Sequence, residues 1–381
     1  MHQRRYNIII IGAGIMGVMM AYYFSNRFKK IVVLEQNKIG YGASGTISGI
    51  LSLIDRESNL QLELSLKTLK IYKELEENNG ADFEFLQEGG MALLDNKNLE
   101  AVKRIIDNQK MNGLDVEILY SEKQIKKVQP FLNIKNIKAL AYCASEGTVN
   151  PFKIISYFAQ EAKKNGVEFI ENTKVIGFKR EGSRIKSVLT NSGNYYADLL
   201  VVTAGAWTHE LMKNLNYDIP VYFNKGIAMV TQPTEKIIYG AIVSGDYLTG
   251  EFKDQSINIE PGFVQTKNGN IVLSQITTKE TQYTDSVDFT LVSSLIKKAL
   301  KCFPQLKNLS IIRSWGGMPP YTDDGLPIYG PIFGLDNLIM AVAFKGAFSI
   351  ALAVGLETAK IIARDGNFTK YKDFSVERFL E

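Results

Sequence analysis

The chain has 381 residues, of which 45% are hydrophobic and 22% charged, a balance that excludes a disordered or fibrous protein. Its 44 basic and 40 acidic residues are interleaved and leave a formal net charge of +4, so no nucleic-acid-binding surface is indicated. The longest apolar runs, such as residues 8–11 and 350–354, are far shorter than the ~20 residues of a membrane helix. A first strand that starts near Tyr6 leaves no room for a signal peptide. We therefore expect a cytoplasmic protein without a membrane span.

Cysteine and histidine are scarce. Cys143 and Cys302 are the only cysteines and belong to no CxxC or Cys/His cluster, so the sequence predicts no metal site. His2 and His209 are the only histidines, which argues against a hydrolase built on a nucleophile and a histidine base. The chemistry is therefore expected to come mainly from a cofactor.

The N-terminal segment carries a dinucleotide-binding fingerprint. An apolar strand at residues 7–11 runs into a GxGxxG turn, and a helix is predicted from Ile15 to Phe28. A second strand, residues 31–34, ends in an acid that is well placed for ribose hydroxyls. The predicted nucleotide-binding residues are Gly12, Ala13, Gly14, Ile15, Met16, Gly17, Glu35 and Gln36. The fingerprint alone does not distinguish NAD from FAD.

A loop rich in glycine and hydroxyl residues follows, at residues 40–50. Its backbone N–H groups are suited to the pyrophosphate and the pyrimidine edge of a flavin, and the alternative is a flexible loop. The candidate contacts are Gly42, Ala43, Ser44, Gly45, Ser48 and Gly49.

The later elements alternate between helical and strand patterns. Helices are predicted at 59–77, 98–110, from a capping box at Ser121, at 151–164, at 291–301 and at 346–364. Residues 167–202 are typical of a three-stranded meander that enters a small-residue turn at Thr203, Ala204, Gly205, Ala206 and Trp207. Antiparallel strands are predicted between 220 and 273, with turns at Lys225-Gly226 and Asn268-Gly269, and a further strand at 338–342.

These motifs, together with the stretch from Trp315 to Gly330, resemble the D-amino acid oxidase (DAO) family over nearly the whole chain. Within that family the chain most resembles glycine oxidase, sarcosine oxidase and the flavin-bearing β subunits of proline, hydroxyproline and opine dehydrogenases. The resemblance implies an α/β fold with a FAD-binding Rossmann-like domain of the glutathione reductase/p-hydroxybenzoate hydroxylase type. An α+β substrate domain with an antiparallel sheet would complete the molecule.

The resemblance also implies domain limits and a reaction. FAD would be bound by residues 1–82, 142–212 and 312–381, and the substrate by residues 83–141 and 213–311. An amino acid or secondary amine would lose a hydride to flavin N5 and become an imine, without a protein base if the amine arrives neutral. Further cofactor-binding residues implied in this way are Val175, Gly316, Gly317, Lys345, Gly346, Ala347, Phe348 and Ser349.

The chain departs from the family pattern at the position where relatives bind the substrate carboxylate. Relatives place an arginine where this chain has Met318, so the carboxylate needs another cation. Lys345, at the position of a second arginine in relatives, is the first candidate, although it equally suits the flavin pyrimidine edge or solvent, and Lys225 is the weaker candidate. Tyr222, Tyr247 and Tyr321 are candidates for an aromatic substrate pocket, against an ordinary packing role.

Relatives that attach the flavin covalently use a cysteine or a histidine at positions that here hold Gly317 and Thr46, so non-covalent FAD is expected. A partner subunit or another electron acceptor in place of oxygen is left open, and with it a hetero-oligomer. An FAD-dependent 2-hydroxy acid or glycerol phosphate dehydrogenase is a second interpretation, which the scarcity of histidine disfavours. An FAD-stabilised subunit without its own catalysis is a third, and an NAD-only dehydrogenase is disfavoured because it leaves the C-terminal motif unexplained.

Overall fold

The computed structural model describes residues 4–56, 58–135, 137–250, 256–280, 282–364 and 366–379. The strands are β1 Arg4–Ile11, β2 Ile31–Leu34, β3 Ile50–Leu51, β4 Gly90–Leu94, β5 Val116–Leu119, β6 Ala139–Cys143, β7 Gly147–Thr148, β8 Glu168–Ile170, β9 Val175–Glu181, β10 Arg184–Thr190, β11 Gly193–Val202, β12 Tyr222–Pro233, β13 Ala241–Ser244, β14 Ile257–Gln265, β15 Asn270–Lys279, β16 Ile311–Gly317, β17 Pro320–Tyr321, β18 Ile328–Ile332 and β19 Leu335–Val342. The helices are α1 Ile15–Ser25, α2 Asn59–Asn79, α3 Leu99–Met111, α4 Glu122–Val128, α5 Pro151–Lys164, α6 Thr208–Lys213, α7 Gly245–Thr249, α8 Phe289–Cys302 and α9 Ala351–Ile362.

The chain divides into two compact units. The first unit comprises residues 1–45, 152–223 and 319–381, and the second comprises residues 46–151 and 224–318. The functional domain limits expected from the sequence stay a prediction, since compactness does not say which segment binds which molecule.

The first unit is built on a mainly parallel sheet. Strands β19, β11, β1, β2 and β8 run parallel in that order, and β18 pairs antiparallel with β19 at one edge. The β1 residues 8–11 are at most 5% exposed, as expected for a strand that is covered on both faces. Helix α1 is also apolar around its circumference and packs against α9, where Gly355 allows the backbone of Met19 to approach. Sheet residues such as Ile9 and Val32 belong to one buried core with Val188 of β10 and Met212 of α6.

The meander predicted for residues 167–202 is confirmed for β9, β10 and β11, which pair antiparallel in sequence order. Its first strand differs, because β8 pairs parallel with β2 and belongs to the main sheet. The pairing of β8 with β2 joins segments more than 130 positions apart, a long-range choice that the local pattern does not contain.

The second unit is built on a largely antiparallel sheet with the order β16, β12, β15, β14, β13, β4, β6 and β5. The predicted turn at Asn268-Gly269 is confirmed between β14 and β15, and Gly269 has a φ of +88°. The predicted turn at Lys225-Gly226 is wrong. Both residues lie within β12, where Lys225 pairs with Thr278 of β15 and Gly226 with Gly317 of β16, and this two-sided backbone pairing overrides the turn preference of glycine.

Two predicted helix ends are also wrong. The first helix stops at Ser25 instead of Phe28, because the side chains of Ser25 and Asn26 donate hydrogen bonds to the carbonyl oxygen of Tyr22. The last helix starts at Ala351 instead of Gly346, because Gly346 adopts a left-handed conformation with a φ of +57° and begins a separate short turn.

The capping box predicted at Ser121 is confirmed with Gln124. No helix in the described ranges combines the length and the apolar character needed to cross a bilayer.

Candidate functional site

In the first unit, segments that are far apart in sequence meet at the carboxyl edge of the parallel sheet. Gly12, Glu35, Thr203 and Ala343 directly follow β1, β2, β11 and β19. Ala343 has a φ of +60°, a strained conformation for a residue with a side chain, and such strain is common where backbone approaches a ligand. Ligands of open parallel sheets bind at this edge.

The fingerprint turn tolerates only glycine at two positions. Gly12 has a φ of +104°, and a Cβ atom there would lie 2.6 Å from the carbonyl oxygen of Thr203. A Cβ atom on Gly17 would lie 2.0 Å from the carbonyl oxygen of Gly12. The Thr203 hydroxyl lies 2.9 Å from the same Gly12 oxygen and 3.0 Å from that of Ile11, so it donates to this turn. The predicted Thr203 segment is thus part of the fingerprint site.

Helix α1 begins at this turn with Gly14 as its N-cap, which has no side chain to cap the helix. The amide of Ile15 donates to Ser44 Oγ at 3.0 Å, and a Cβ atom on Gly14 would lie 3.1 Å from that oxygen. The glycine-rich loop therefore lies directly against the start of α1. An N-terminus whose first amides have no partner within the helix, with no acidic residue in its first turn, is suited to a phosphate group.

Glu35 is buried, and both of its carboxylate oxygens accept backbone amides. Oε2 accepts from Ala13 and Oε1 from Asn37, each at 2.8 Å. Burial raises the pKa of Glu35, while these two amides act in the opposite direction. Each oxygen keeps a further lone pair for a hydroxyl donor, so the carboxylate suits a ribose.

The glycine-rich loop folds onto itself and onto Trp207. The Gly40 amide donates to the carbonyl oxygen of Ala13 at 2.9 Å, and a Cβ atom on Gly45 would lie 2.7 Å from the Gly40 oxygen. A Cβ atom on Gly42 would lie 3.2 Å from the Trp207 ring. The structure thus brings Gly42, Ser44 and Gly45 together with the Thr203 segment. Ser48 and Gly49 fall in the second unit, where Gly49 packs against the carbonyl oxygen of Val149.

The segment between β19 and α9 carries an orphaned polar atom. Ser349 is fully buried, and its hydroxyl finds no hydrogen-bond partner among the described residues. An unsatisfied buried hydroxyl costs about 1–3 kcal/mol, which a bound ligand can relieve. Lys345 in the same segment is half-buried, whereas Phe348 is buried. This observation, the glycine-only turn and the Glu35 carboxylate fit a dinucleotide such as FAD.

In the second unit, the tryptophan-glycine motif packs against Thr46. Trp315 Nε1 donates to the Thr46 carbonyl oxygen at 2.9 Å. A Cβ atom on Gly317 would lie 1.9 Å from Thr46 Oγ1, and one on Gly316 would lie 2.9 Å from the carbonyl oxygen of Asp285. Positions 46 and 317 are therefore neighbours, and neither holds the histidine or cysteine that a covalent flavin link requires.

The substrate candidates Met318 and Lys225 both have partners in the second unit. Met318 is 1% exposed, and its sulfur accepts the Thr284 amide at 3.0 Å. Lys225 Nζ lies 2.9 Å from Glu280 Oε1, and this bonded ammonium lowers the pKa of Glu280. The weaker of the two lysine candidates for the substrate carboxylate, Lys225, is thus already paired with a carboxylate of the chain.

The remaining candidates occupy scattered places. Tyr247 lies in α7 of the second unit, whereas the rings of Tyr222 and Tyr321 are 5.9 Å apart in the first. Val175 opens β9 opposite Thr190. The structure therefore does not group the three tyrosines within one unit.

Sequence reasoning missed Glu280 and its neighbour Ser286, whose hydroxyl lies 3.4 Å from Lys225 Nζ. Glu280 follows the end of β15, and only the register that pairs Lys225 with Thr278 shows that it can reach the lysine. A strand pattern alone does not contain that register.

Comparison with known proteins identifies similar chains along nearly the whole length. The DAO family model, described as FAD dependent oxidoreductase, matches residues 7–361. The sarcosine oxidase subunit beta of an Arthrobacter species is 26% identical over 391 residues, with 99% of this chain and 92% of that protein covered. Glycine oxidase of Bacillus subtilis (strain 168) is 24% identical over 368 residues, with 94% of each covered.

A solved structure has the same fold. The crystal structure of L-proline dehydrogenase from P. horikoshii matches with a TM-score of 0.87 and 26% identity, covering 99% of this chain and 98% of that one. The predicted α/β fold with a FAD-binding domain is thereby confirmed.

Proposed function

Because the chain belongs to the DAO family of FAD-dependent oxidoreductases, we propose that it oxidises the C–N bond of an amino acid or secondary amine to an imine. The observation that carries the proposal is the carboxyl edge of the parallel sheet, where the glycine-only turn, Glu35 and the orphaned Ser349 hydroxyl fit FAD. The compared relatives are named for sarcosine, glycine and L-proline, each of which has a nitrogen next to an oxidisable carbon.

We propose that FAD is held without a covalent bond. The α1 N-terminus and the Gly12 turn would hold the pyrophosphate, and Glu35 would accept the ribose hydroxyls. Thr46 and Gly317 lack the nucleophile of a covalent link, which supports this arrangement. The functional domain limits, 1–82 with 142–212 and 312–381 for FAD, belong to the same proposal.

Lys345 is the residue that we assign to the substrate carboxylate. Met318 provides no charge, and the Lys225 ammonium is paired with Glu280. Lys345 is half-buried and stands where relatives carry a second arginine, which supports the assignment. A charge-assisted hydrogen bond of this kind contributes about 1.5–3 kcal/mol. Tyr247, in α7 of the second unit, stays a separate candidate for an aromatic substrate pocket.

Bound FAD supplies the acceptor for the hydride that leaves the carbon, while the nitrogen lone pair forms the C=N bond. The chain's part is to bind the amine in its neutral form and to orient it through the carboxylate. His209 Nδ1 lies 2.8 Å from the carbonyl oxygen of Ile219, so its ring is engaged by the backbone. That hydrogen bond leaves Nε2 as the ring's acceptor, so an alcohol substrate, whose hydroxyl proton needs a base, is disfavoured only by the scarcity of histidine.

The proposal also concerns the molecule that takes the electrons from the reduced flavin. One compared relative is named as a subunit, which supports a partner subunit or a separate electron carrier for this chain as well. From the composition of the chain, we also propose that the protein is located in the cytoplasm.

The test is anaerobic spectroscopy of the purified FAD-loaded protein with glycine, sarcosine, D- and L-proline, hydroxyproline and a panel of D-amino acids. We expect at least one of them to bleach the visible flavin band, after which oxygen distinguishes an oxidase from a dehydrogenase. Dimethylamine is the matched control for sarcosine, because it keeps the secondary nitrogen and lacks the carboxylate that Lys345 would hold.

Bleaching by 2-hydroxyglutarate or glycerol 3-phosphate and by no amine would contradict the proposal in favour of alcohol oxidation. Flavin that no compound bleaches would contradict catalysis by this chain alone and would indicate an FAD-stabilised subunit.

A further inference from the structure

The large sheet of the second unit ends in a strand with exposed apolar residues. β16 is the first strand in the sheet order, and within the described ranges it pairs only with β12. Its first residues, Ile311, Ile312 and Arg313, are exposed, and Ile312 reaches 61%. One row of backbone amides and carbonyl groups faces away from the sheet at such an edge, and it is able to accept a strand of another polypeptide.

A small apolar pocket adjoins this edge. Its volume is about 100 Å³, and Ile311 of β16 forms part of its wall. Leu273 of β15, Ile296 and Leu300 of α8, and Leu309, which follows α8, also line it. An apolar cavity of about 150 Å³ holds a molecule of the size of benzene. The pocket beside β16 therefore has room for one aliphatic side chain.

The chain around this edge is basic. Residues 289–318, which form α8 and β16, contain no acidic residue and five cations, namely Lys297, Lys298, Lys301, Lys307 and Arg313. Lys298 is paired with Glu260 at 2.6 Å, and the Arg313 guanidinium lies 5.9 Å from the Trp315 ring. A surface with this excess of positive charge attracts an acidic partner and repels a second copy of itself.

We propose that β16 is the docking site for an extended, acidic segment of a partner protein. The segment adds to the sheet as a further strand, places one aliphatic side chain in the pocket, and sets its carboxylates against Arg313 and Lys307. The strand edge favours a polypeptide over a lipid surface, because lipid headgroups do not need the row of backbone groups. The inference goes beyond the proposed amine chemistry, since docking at this edge does not depend on what the flavin oxidises.

The probe for the test is a short fluorescent peptide in which Glu alternates with Val and Leu. Its binding to the FAD-loaded, full-length protein is measured by fluorescence anisotropy, and we expect micromolar affinity that falls as salt is added. The same peptide with Lys in place of every Glu should not bind. Arg313→Glu should weaken binding of the acidic peptide by about tenfold or more, because an attractive contact becomes a repulsive one.

Lys186→Glu is the matched control, since it makes the same change of net charge in the first unit. Lys186 is an exposed residue of β10 and pairs with Glu181 at 3.2 Å. This variant should bind the acidic peptide as the wild type does. Equal affinity in Arg313→Glu and the wild type would overturn the inference, as would a wild type that does not bind the acidic peptide.

Amide hydrogen exchange locates the bound peptide. We expect slower exchange at residues 311–314 of β16 and no change at β5, which forms the opposite edge of the same sheet. Bound peptide that leaves exchange in β16 unchanged contradicts the proposed site. If Arg313→Glu does not fold with FAD, this measurement on the wild type decides the question by itself.

Two other occupants of the edge are outcomes of the same experiments. Binding to phosphatidylglycerol vesicles without binding to the peptide would replace the inference with a membrane surface. A wild-type dimer in sedimentation that dissociates in Arg313→Glu would replace it with a second copy of the chain. Flavin reduction by amines is scored separately, so a failure of the proposed chemistry and a failure of the docking site are distinguished.

Discussion

At the scale of single residues, Glu35 shows how one carboxylate can serve the fold and a ligand together. It is buried, and it accepts the amides of Ala13 and Asn37. The same oxygens remain able to accept hydroxyl donors, because a carboxylate has about four acceptor positions. The two backbone amides therefore orient a carboxylate that can also accept a ligand hydroxyl.

Glu35→Gln is expected to weaken FAD binding by about 10–100-fold, because hydrogen bonds to a charged acceptor contribute about 1.5–3 kcal/mol. The dissociation constant is measured by flavin fluorescence on the apoprotein. The control is Glu181→Gln, whose exposed carboxylate pairs with Lys186 at 3.2 Å. An affinity within twofold of the wild type would show that Glu35 does not contact the nucleotide.

At the scale of elements, Glu146 joins two segments of the second unit. Its Oε1 accepts the amides of Leu53 and Ile54 and the Ser52 hydroxyl, at 2.5, 2.7 and 3.1 Å. A Cβ atom on Gly90 would lie 1.6 Å from Oε2, so β4 must have a glycine there. The carboxyl group thus holds the segment after β3 against the turn between β6 and β7.

Burial raises the pKa of Glu146 from 4.5 to about 7, and the nearby Asp55 acts in the same direction. Between these two values the folded chain binds a proton that the unfolded chain has lost, so the free energy of unfolding falls as the pH rises. The full effect is on the order of 3 kcal/mol, at about 1.4 kcal/mol for each pH unit.

We therefore expect Glu146→Gln to flatten the decline in stability between pH 5 and pH 7. Urea denaturation of wild type and variant at pH 5, 6, 7 and 8 measures this, with Glu260→Gln as the control. Equal slopes in the wild type and the Glu146 variant would show that this group does not titrate in that window.

At the scale of the whole molecule, non-covalent FAD links cofactor binding to folding. A ligand that binds only the folded chain stabilises it in proportion to the logarithm of its free concentration. We therefore expect the melting temperature to rise with added free FAD, and acid precipitation to leave all flavin in the supernatant. Flavin that stays with the precipitated protein would contradict the absence of a covalent link.

Local sequence was sufficient for the dinucleotide turn and for most helices. Glycine is favoured locally at position 12 by a positive φ and at position 17 by the Gly12 carbonyl oxygen, which lies five residues earlier in the chain. The capping box predicted at Ser121 likewise marks a helix start by chemistry that spans only three residues. The composition, with two histidines and two cysteines, also pointed to cofactor chemistry.

Only the tertiary structure shows which distant side chains meet. The Thr203 hydroxyl reaches the Gly12 oxygen across 191 positions, and Lys225 finds Glu280 through the pairing of β12 with β15. Because of this pairing, Lys225-Gly226, where a turn was expected, lies within a continuous strand. Strand register and sheet order depend on the burial of whole faces, which no short stretch of sequence contains, and so the partners of Lys225 could not be read from its neighbours in the chain.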